Sequence, residues 1–424
     1  MDGEVGRFEF VTYSVCQGDK LAYNTAREVF PPLRCWEWYK TRGFKELALI
    51  YGATEHSYTK TRTLLNRVRH QDGATPTMTI RESAEREGHK VLACVDRTTT
   101  AILPRAGFTD EGRPVQDSAA YHRDVVCLPS QEVTDAVAAC DVSVEERPEI
   151  AANPVCYEHP SHTVNISLDD VVVKRQKAER AGHHKAHEGP SGEQGPPVHP
   201  ASDPRKYVHN TVAHIQHGEH TYTVTGPGVL VVLRILLGYL LNNRLLSSRL
   251  QFFVDGQKTL QAAILRAFSW FRNIGLILDW YHLEDKCKRQ LSLAMRGRAL
   301  RNEVLDRLTR FLWYGLVDQA IAYLGSVKHA VMKDPDAVRV LRDYIERNRP
   351  YLPCYDARKR LGLRNSSNRG ETMNDLLVSQ RQKHHGMSWS PGGSSALAAL
   401  EAITRNGEYQ RWFEYGELEL KCAA

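Results

Sequence analysis

Three acidic residues stand where chemistry on a phosphodiester would need them. Asp255 closes the run Leu250-Gln-Phe-Phe-Val-Asp-Gly256. Mostly apolar residues lead into one carboxylate and then a glycine. This reads as a buried strand presenting an Asp at its C-terminal edge, where open α/β sheets bind ligands and metals. Asp169 lies in Thr163-Val-Asn-Ile-Ser-Leu-Asp-Asp-Val-Val-Val-Lys174, which reads as a strand, a carboxylate pair and a second strand. Glu371 falls in the first turn of a helix introduced by Asn365-Ser-Ser-Asn-Arg-Gly370. Small polar residues favour such a start, and an acid there complements the helix dipole. The acids are 86 (255 − 169) and 116 (371 − 255) residues apart, and each is expected at one rim of a sheet. Three convergent carboxylates repel one another, and cations among them relieve the repulsion. Two Mg²⁺ (or Mn²⁺) ions held by Asp169, Asp255 and Glu371 would also supply a mechanism. One activates a water or a 3′-hydroxyl, and the other stabilises the leaving oxygen in an in-line attack on phosphorus. A second apolar run ends the same way, in Leu278-Asp279-Trp-Tyr-His282. Asp279 and His282 are therefore secondary candidates, with Asp170 as the alternative to Asp169.

The elements that must carry these residues form an α/β pattern. A strand is expected over 221–225, then a helix over 228–247 opened by Pro227. Strand 250–255, helix 257–271 and strand 274–279 follow. Residues 281–350 are helical in pattern without strand signals, as in an all-helical insertion. Residues 180–206 are rich in His, Gly, Pro and Ser and lack periodicity, which predicts a mobile loop.

Ahead of this block, residues 42–71 predict a helix-turn-helix, with helices over 43–51 and 57–70 and the turn at Gly52. Leu47, Ile50, Leu64, Leu65 and Val68 fall on the inner face. Lys60, Arg62, Arg67 and Arg69 lie on or near the outer one, the geometry for laying a helix in a major groove. A short helix, about Ile80 to Glu87, follows Pro76. Residues 101–160 carry no readable role.

At 424 residues the chain has room for two or three domains with their own cores. Its net charge of +6 permits a nucleic-acid partner without demanding one. The longest apolar run, Val229 to Leu241, is interrupted by Arg234 and too short to span a bilayer. The N-terminus lacks the pattern of a signal peptide. The expectation is a cytoplasmic, nucleoid-associated protein away from membranes. Nine cysteines without a CxxC pair argue for reduced thiols. Cys156-x2-His159-x2-His162, with Cys140 upstream, is the nearest approach to a zinc pattern, and solvated loop histidines beside a thiol account for it better.

The segment Asn368 to Ser390 holds Glu371, Asn374, Val378-Ser-Gln-Arg381-Gln-Lys383 and Gly386-Met-Ser-Trp-Ser390. It resembles the C-terminal motif of bacterial insertion-sequence transposases of the DDE superfamily, whose catalytic domain is RNase H-like. Phe252-Phe-Val-Asp255-Gly and Leu278-Asp279-Trp-Tyr-His282 are similar to the second-aspartate block of that group, and Leu168-Asp169-Asp170-Val to its first. The resemblance spans about residues 160–400.

It implies an RNase H-like mixed sheet with helices, interrupted by a helical insertion and preceded by a helix-turn-helix region. The chain would divide into residues 1–100, 101–160, 161–280, 281–355, 356–400 and a tail over 401–424. The implied activity is metal-dependent cleavage and strand transfer on double-stranded DNA, at element ends and target, by a homodimer or larger assembly. Asp169, Asp255 and Glu371 would hold the metals. Arg364, Arg369, Arg381 and Lys383 would join the N-terminal cations in meeting the DNA backbone, as would Arg358, Lys359 and Arg360. Two alternatives stay open: a transposase-derived DNA-binding protein without activity, and an RNase H-like nuclease that cuts without joining.

Overall fold

The computed structural model describes residues 42–115 (except 56, 69 and 71–74), 121–176 (except 122–123, 125, 154 and 156) and 207–422 (except 384–386), together with four short strand segments between residues 2 and 24. The predicted loop over 180–206, Arg69 and Cys156 lie outside these residues.

β-Branched residues dominate the strand at the centre of the molecule. Thr163–Lys174 (β1) is one continuous strand of 12 residues. Asp169 and Asp170 therefore sit inside it, not between two strands. Tyr207–His217 (β2) pairs antiparallel with β1 along ten residues, and His220–Gly226 (β3) pairs antiparallel with β2. Arg249–Val254 (β4) runs parallel to β1, and Ile274–Leu278 (β5) runs parallel to β4. The sheet order is β3-β2-β1-β4-β5. This mixed five-stranded sheet is compatible with the RNase H-like architecture expected. Strand β2 was not anticipated. Its polar residues Asn210, Thr211, His214 and Gln216 disguise it, yet all four are buried.

Because side chains alternate along a strand, β1 feeds two cores. Val164, Ile166 and Leu168 join Val232, Leu236 and Leu240 beneath one face. Val171 and Val173 join Leu377, Val378 and Leu397 beneath the other. The helix after Pro227 is Val229–Asn242 (α6), shorter than the pattern implied, and the helix after Asp255 is Lys258–Ala267 (α7).

Ahead of the sheet, Arg42–Thr54 (α1) and Tyr58–Val68 (α2) form the expected helix pair. Gly52 lies inside α1 and supplies no turn, since the helix continues to Thr54. Leu65 is buried against Phe44, Ala48 and Ile80, and Leu47 packs on that cluster. Val68 is instead exposed. The short helix expected after Pro76 is the 29-residue helix Thr77–Arg105 (α3). It packs along Pro391–Arg405 (α14), whose backbone approaches so closely at Ala396 that only a glycine fits at position 88. Residues 391–405, read as the end of one segment and the start of a tail, are thus a mostly buried helix on the sheet.

The helical stretch is as the pattern predicts. Trp280–Ala294 (α8), Arg298–Trp313 (α9), Val317–Ser326 (α10) and Pro335–Asn348 (α11) follow without a strand, and Tyr355–Arg360 (α12) closes the run. Their core takes in Phe253, Ile277 and Leu278 from the sheet. It also takes in Ala136, Val137, Cys140 and Ile150. Ser130–Ala138 (α4) and Arg147–Ala151 (α5), from the stretch without a readable role, therefore help complete this helical unit. Trp313 is partly buried, packed on the rings of Trp280 and Tyr355. Cys140 is buried beside Cys354, with sulfurs 3.9 Å apart, so it is no part of a site with His159 and His162.

Candidate active site

The register of the parallel pair sets the first two acids side by side. Thr163 pairs with Arg249 and Ser167 with Phe253, an offset of 86 residues (249 − 163). That offset equals the spacing of Asp169 and Asp255. Strand β4 ends at Val254, so Asp255 projects just past its last pairing while Asp169 is still held by β2. Alternation then puts Asp169 and Asp255 on one face and Asp170 on the other. There Asp170 accepts from the Thr211 hydroxyl at 3.0 Å and meets His209 Nδ1 at 2.6 Å.

The third acid comes from the helix Asn368–Asn374 (α13), which continues through a π-helical turn over Asp375–Ser379 into Gln380–Gln382. Such turns inside helices recur at functional sites. Helix α13 lies on β1 at Gly370, where an added Cβ would overlap the Ser167 side chain. That close approach carries Glu371 over the middle of β1 and the end of β4. Asp169, Asp255, His282, Ser367, Gly370, Glu371 and Asn374 line one narrow cleft. It lies where the core under β1 and β2 gives way to the core of the helical unit.

Asp279 explains how the helix is anchored. It is almost wholly buried and caps α8, accepting from the His282 N–H at 3.0 Å. It also accepts from the backbone N–H of Ser367 and from the Ser367 hydroxyl at 2.9 Å. One carboxylate thus ties the end of β5 to the start of the Glu371 helix. His282, one turn into α8, meets Glu371 Oε1 through Nε2 at 2.9 Å. Asn374, one turn beyond Glu371, donates to Asp169 Oδ2 at 2.8 Å. Neither Asn374 nor Gly370 stood among the predicted site residues. The signal for Asn374 was its place one turn beyond Glu371 on the same helix.

The charges are strained. Burial raises the carboxyl of Asp169 above the ordinary Asp range, and the neighbouring Glu371 and Asp255 push it further, against a hydrogen bond from the Asp170 N–H and the pull of His282. His282 is pushed up to about 9 by its hydrogen bond with Glu371 and by Asp279 and Asp255, despite its burial. An imidazolium thus offsets part of the negative charge. Among the described residues no three His, Cys, Asp or Glu side chains are already closed around a common point as ligands. Even so, the donor set is hard oxygen, and Asp169 carries like-charge repulsion from Glu371 and Asp255 that His282 offsets only in part. Both suit Mg²⁺ or Mn²⁺.

Asp169→Asn is accordingly expected to stabilise the metal-free protein. A carboxyl raised in the folded state binds its proton more tightly than in the unfolded chain. The wild type therefore loses stability as pH climbs from the ordinary Asp range through the raised value. The Asn variant does not, and should gain about 1 kcal/mol at neutral pH, as active-site neutralisations do. Thermal unfolding in a chelator from pH 4 to 8 checks this. Equal melting profiles for the two proteins would refute it.

Gly370→Ala tests the helix seat. Pushing α13 off β1 should lower any activity of the site about 10²-fold, the effect of a misplacement near 1 Å. It should destabilise the fold by only about 1–3 kcal/mol. Unchanged turnover by a folded variant would show that Glu371 need not be held this closely.

The predicted DNA-contacting cations divide. Arg62, Arg67, Arg369 and Lys383 are exposed, Lys60 is exposed but pairs with Glu55 at 3.2 Å, and Arg364 is half-buried. Arg364 and Arg369 reach towards β2, where they reinforce burial in pressing the His214 imidazole down to about 4. Arg381, expected at the DNA backbone, does not reach the surface. It is buried between the rings of Tyr58 and Trp389, with its guanidinium carbon 4.6 and 5.1 Å from their centroids. It braces α2 against the Glu371 helix and has no face for a phosphate. Arg358 is likewise internal, paired with Glu158, and Arg360 pairs with Asp356 at 2.7 Å.

No helix is long and apolar enough to cross a membrane among the described residues. No family model matches the chain. No curated protein matches it either. Among solved structures it is similar to the Drosophila P element transposase strand transfer complex, over 93% of this chain and 87% of that one, with 8% identity and a TM-score of 0.27. A likeness that weak leaves the functional reading to rest on the carboxylates themselves.

Proposed function

We propose that the chain is a metal-dependent DNA-cleaving and strand-joining enzyme of the DDE transposase type. One observation carries the reading: Asp169, Asp255 and Glu371, from two adjacent strands and a helix, line one cleft. Their placement follows from strand register and from the Gly370 contact, not from salt links that surface acids make by chance.

In this reading Asp169, Asp255 and Glu371 would hold the divalent ions through their carboxylates. Bound Mg²⁺ supplies a nucleophilic oxygen at neutral pH and stabilises the leaving oxygen. The chain's own residues do the positioning. Asn374 fixes the Asp169 carboxylate through its hydrogen bond. His282 holds one oxygen of Glu371 in place through its hydrogen bond. Asp279 keeps α8 and α13 in register through Ser367. Arg364, Arg369 and Lys383 on one side, and Arg62 and Arg67 on the helix pair, are the cations for the DNA backbone. DNA as a duplex substrate, and an assembly that holds two ends together, belong to the same proposal.

The test is a strand-transfer assay with labelled terminal DNA and supercoiled plasmid in Mg²⁺ and in Mn²⁺. Cut ends covalently joined to plasmid are the expected product. Nicks without joined products would favour the nuclease reading, and binding without either would leave a DNA-binding protein.

A further inference from the structure

The helical unit places beside the turn that follows Asp255 two cations that the sequence did not single out. Tyr344, on α11, packs on the turn that follows β4. Its hydroxyl donates to the Asp255 carbonyl at 3.2 Å. Gly256 adopts φ +84° there, and any side chain on it would run into the Tyr344 ring. Lys286 of α8 places its ammonium 5.6 Å from the centre of that ring. Arg347 of α11 places its guanidinium 5.4 Å from the centre and donates to the Gly256 carbonyl at 3.4 Å.

Both cations are short of anionic partners. Three of the acids near them on the same helices serve other residues: Asp285 pairs with Arg289, Asp343 with Arg339 and Glu346 with Arg349; Glu284 on α8 is exposed. Among the described residues neither Lys286 nor Arg347 enters an ion pair. Two cations stacked on one aromatic ring, fixed to the turn that carries Asp255, are held for something negative that arrives from outside. Asp255 itself is attractive to them, but its carboxylate accepts locally from the Gln257 N–H at 2.8 Å and forms no ion pair with either among the described residues.

We propose that Lys286 and Arg347 form a phosphate-binding subsite for the nucleic-acid strand, taking the phosphodiester next to the one that reaches the carboxylates. It rests on the proposed function and adds to it: the polyanion is gripped from the helical unit as well as from the Glu371 side. The strand then crosses the cleft between two cationic walls, Arg364 and Arg369 on one and Lys286 and Arg347 on the other.

The experiment uses the full chain and a fluorescent duplex oligonucleotide, without divalent metal so that nothing is cut. Dissociation constants are measured by anisotropy across a KCl series for wild type, for Lys286→Ala/Arg347→Ala and for the charge-keeping Lys286→Arg/Arg347→Lys. The double alanine variant should lower the slope of log Kd against log salt by about 1 for each cation lost, and weaken binding about tenfold or more at fixed salt. The charge-keeping variant should restore the slope. The rise in Tm that Mn²⁺ gives should be the same in all three proteins. An unchanged slope with wild-type binding intact overturns the subsite alone. So does a changed Mn²⁺ shift with the slope unmoved, since the pair would then only balance Asp255. Failure of the wild type to bind the duplex overturns the proposed function and the subsite with it.

Discussion

Asp255→Asn is expected to abolish Mg²⁺-dependent DNA cleavage, by about 10³-fold or more, while leaving duplex binding and the fold in place. The side chain is held past the end of β4 by a single local hydrogen bond to the Gln257 N–H, which an Asn oxygen reproduces. Shape and hydrogen bonding are thus conserved and only the charge is lost. A carboxylate that merely caps the turn would tolerate the exchange with little change in turnover. A carboxylate that ligates a cation would not, because neutral amide oxygen is a far weaker partner for Mg²⁺. Initial cleavage rates beside anisotropy binding curves separate the two. Cleavage within about tenfold of wild type would remove Asp255 from the chemistry.

Arg358→Met is expected to be the most damaging change to stability, at about 3–5 kcal/mol. Arg358 and Glu158 are both essentially inaccessible, and the guanidinium meets the two carboxylate oxygens at 3.0 and 3.3 Å. The same guanidinium donates to the Arg364 carbonyl at 3.0 and 3.2 Å. It therefore fixes the turn from α12 into the lead-in of the Glu371 helix. Removing it strands a buried carboxylate and loosens that turn. Adding Glu158→Gln should recover part of the loss, since the stranded charge then disappears. Urea unfolding of the single and double variants measures this. A loss under about 1 kcal/mol for Arg358→Met would show the pair to be dispensable.

Much of the site was legible because period and register are properties of sequence. Apolar runs ending in Asp255 and Asp279 announced strand ends, and the small polar residues before Glu371 announced a helix start. The choice of Asp169 over Asp170 follows from the register offset of 86 residues, a tertiary fact that only the paired strands reveal. What was not legible had other causes. Strand β2 is built from residues that look polar and are buried by helices far away in sequence, with Asn210 meeting Ser394 at 2.6 Å. Arg381 and Arg358 look like surface cations in any linear reading. Their burial depends on Tyr58, Trp389 and Glu158, each remote in sequence. Asn374 was in view as part of a motif, but its partner Asp169 lies 205 residues away. Composition and spacing place elements well and place charges poorly, because pairing decides whether a charge faces water.

The central claim is that three distant carboxylates share a divalent cation. Iron(II) substituted for Mg²⁺, with ascorbate and peroxide, generates hydroxyl radicals that cut the polypeptide beside the ion. Fragments mapped by mass spectrometry should cluster around Asp169, Asp255 and Glu371 in the wild type. They should disappear together in Asp169→Asn and on addition of excess Mg²⁺. Cleavage at one of the three segments alone, or at sites unrelated to them, would contradict the account.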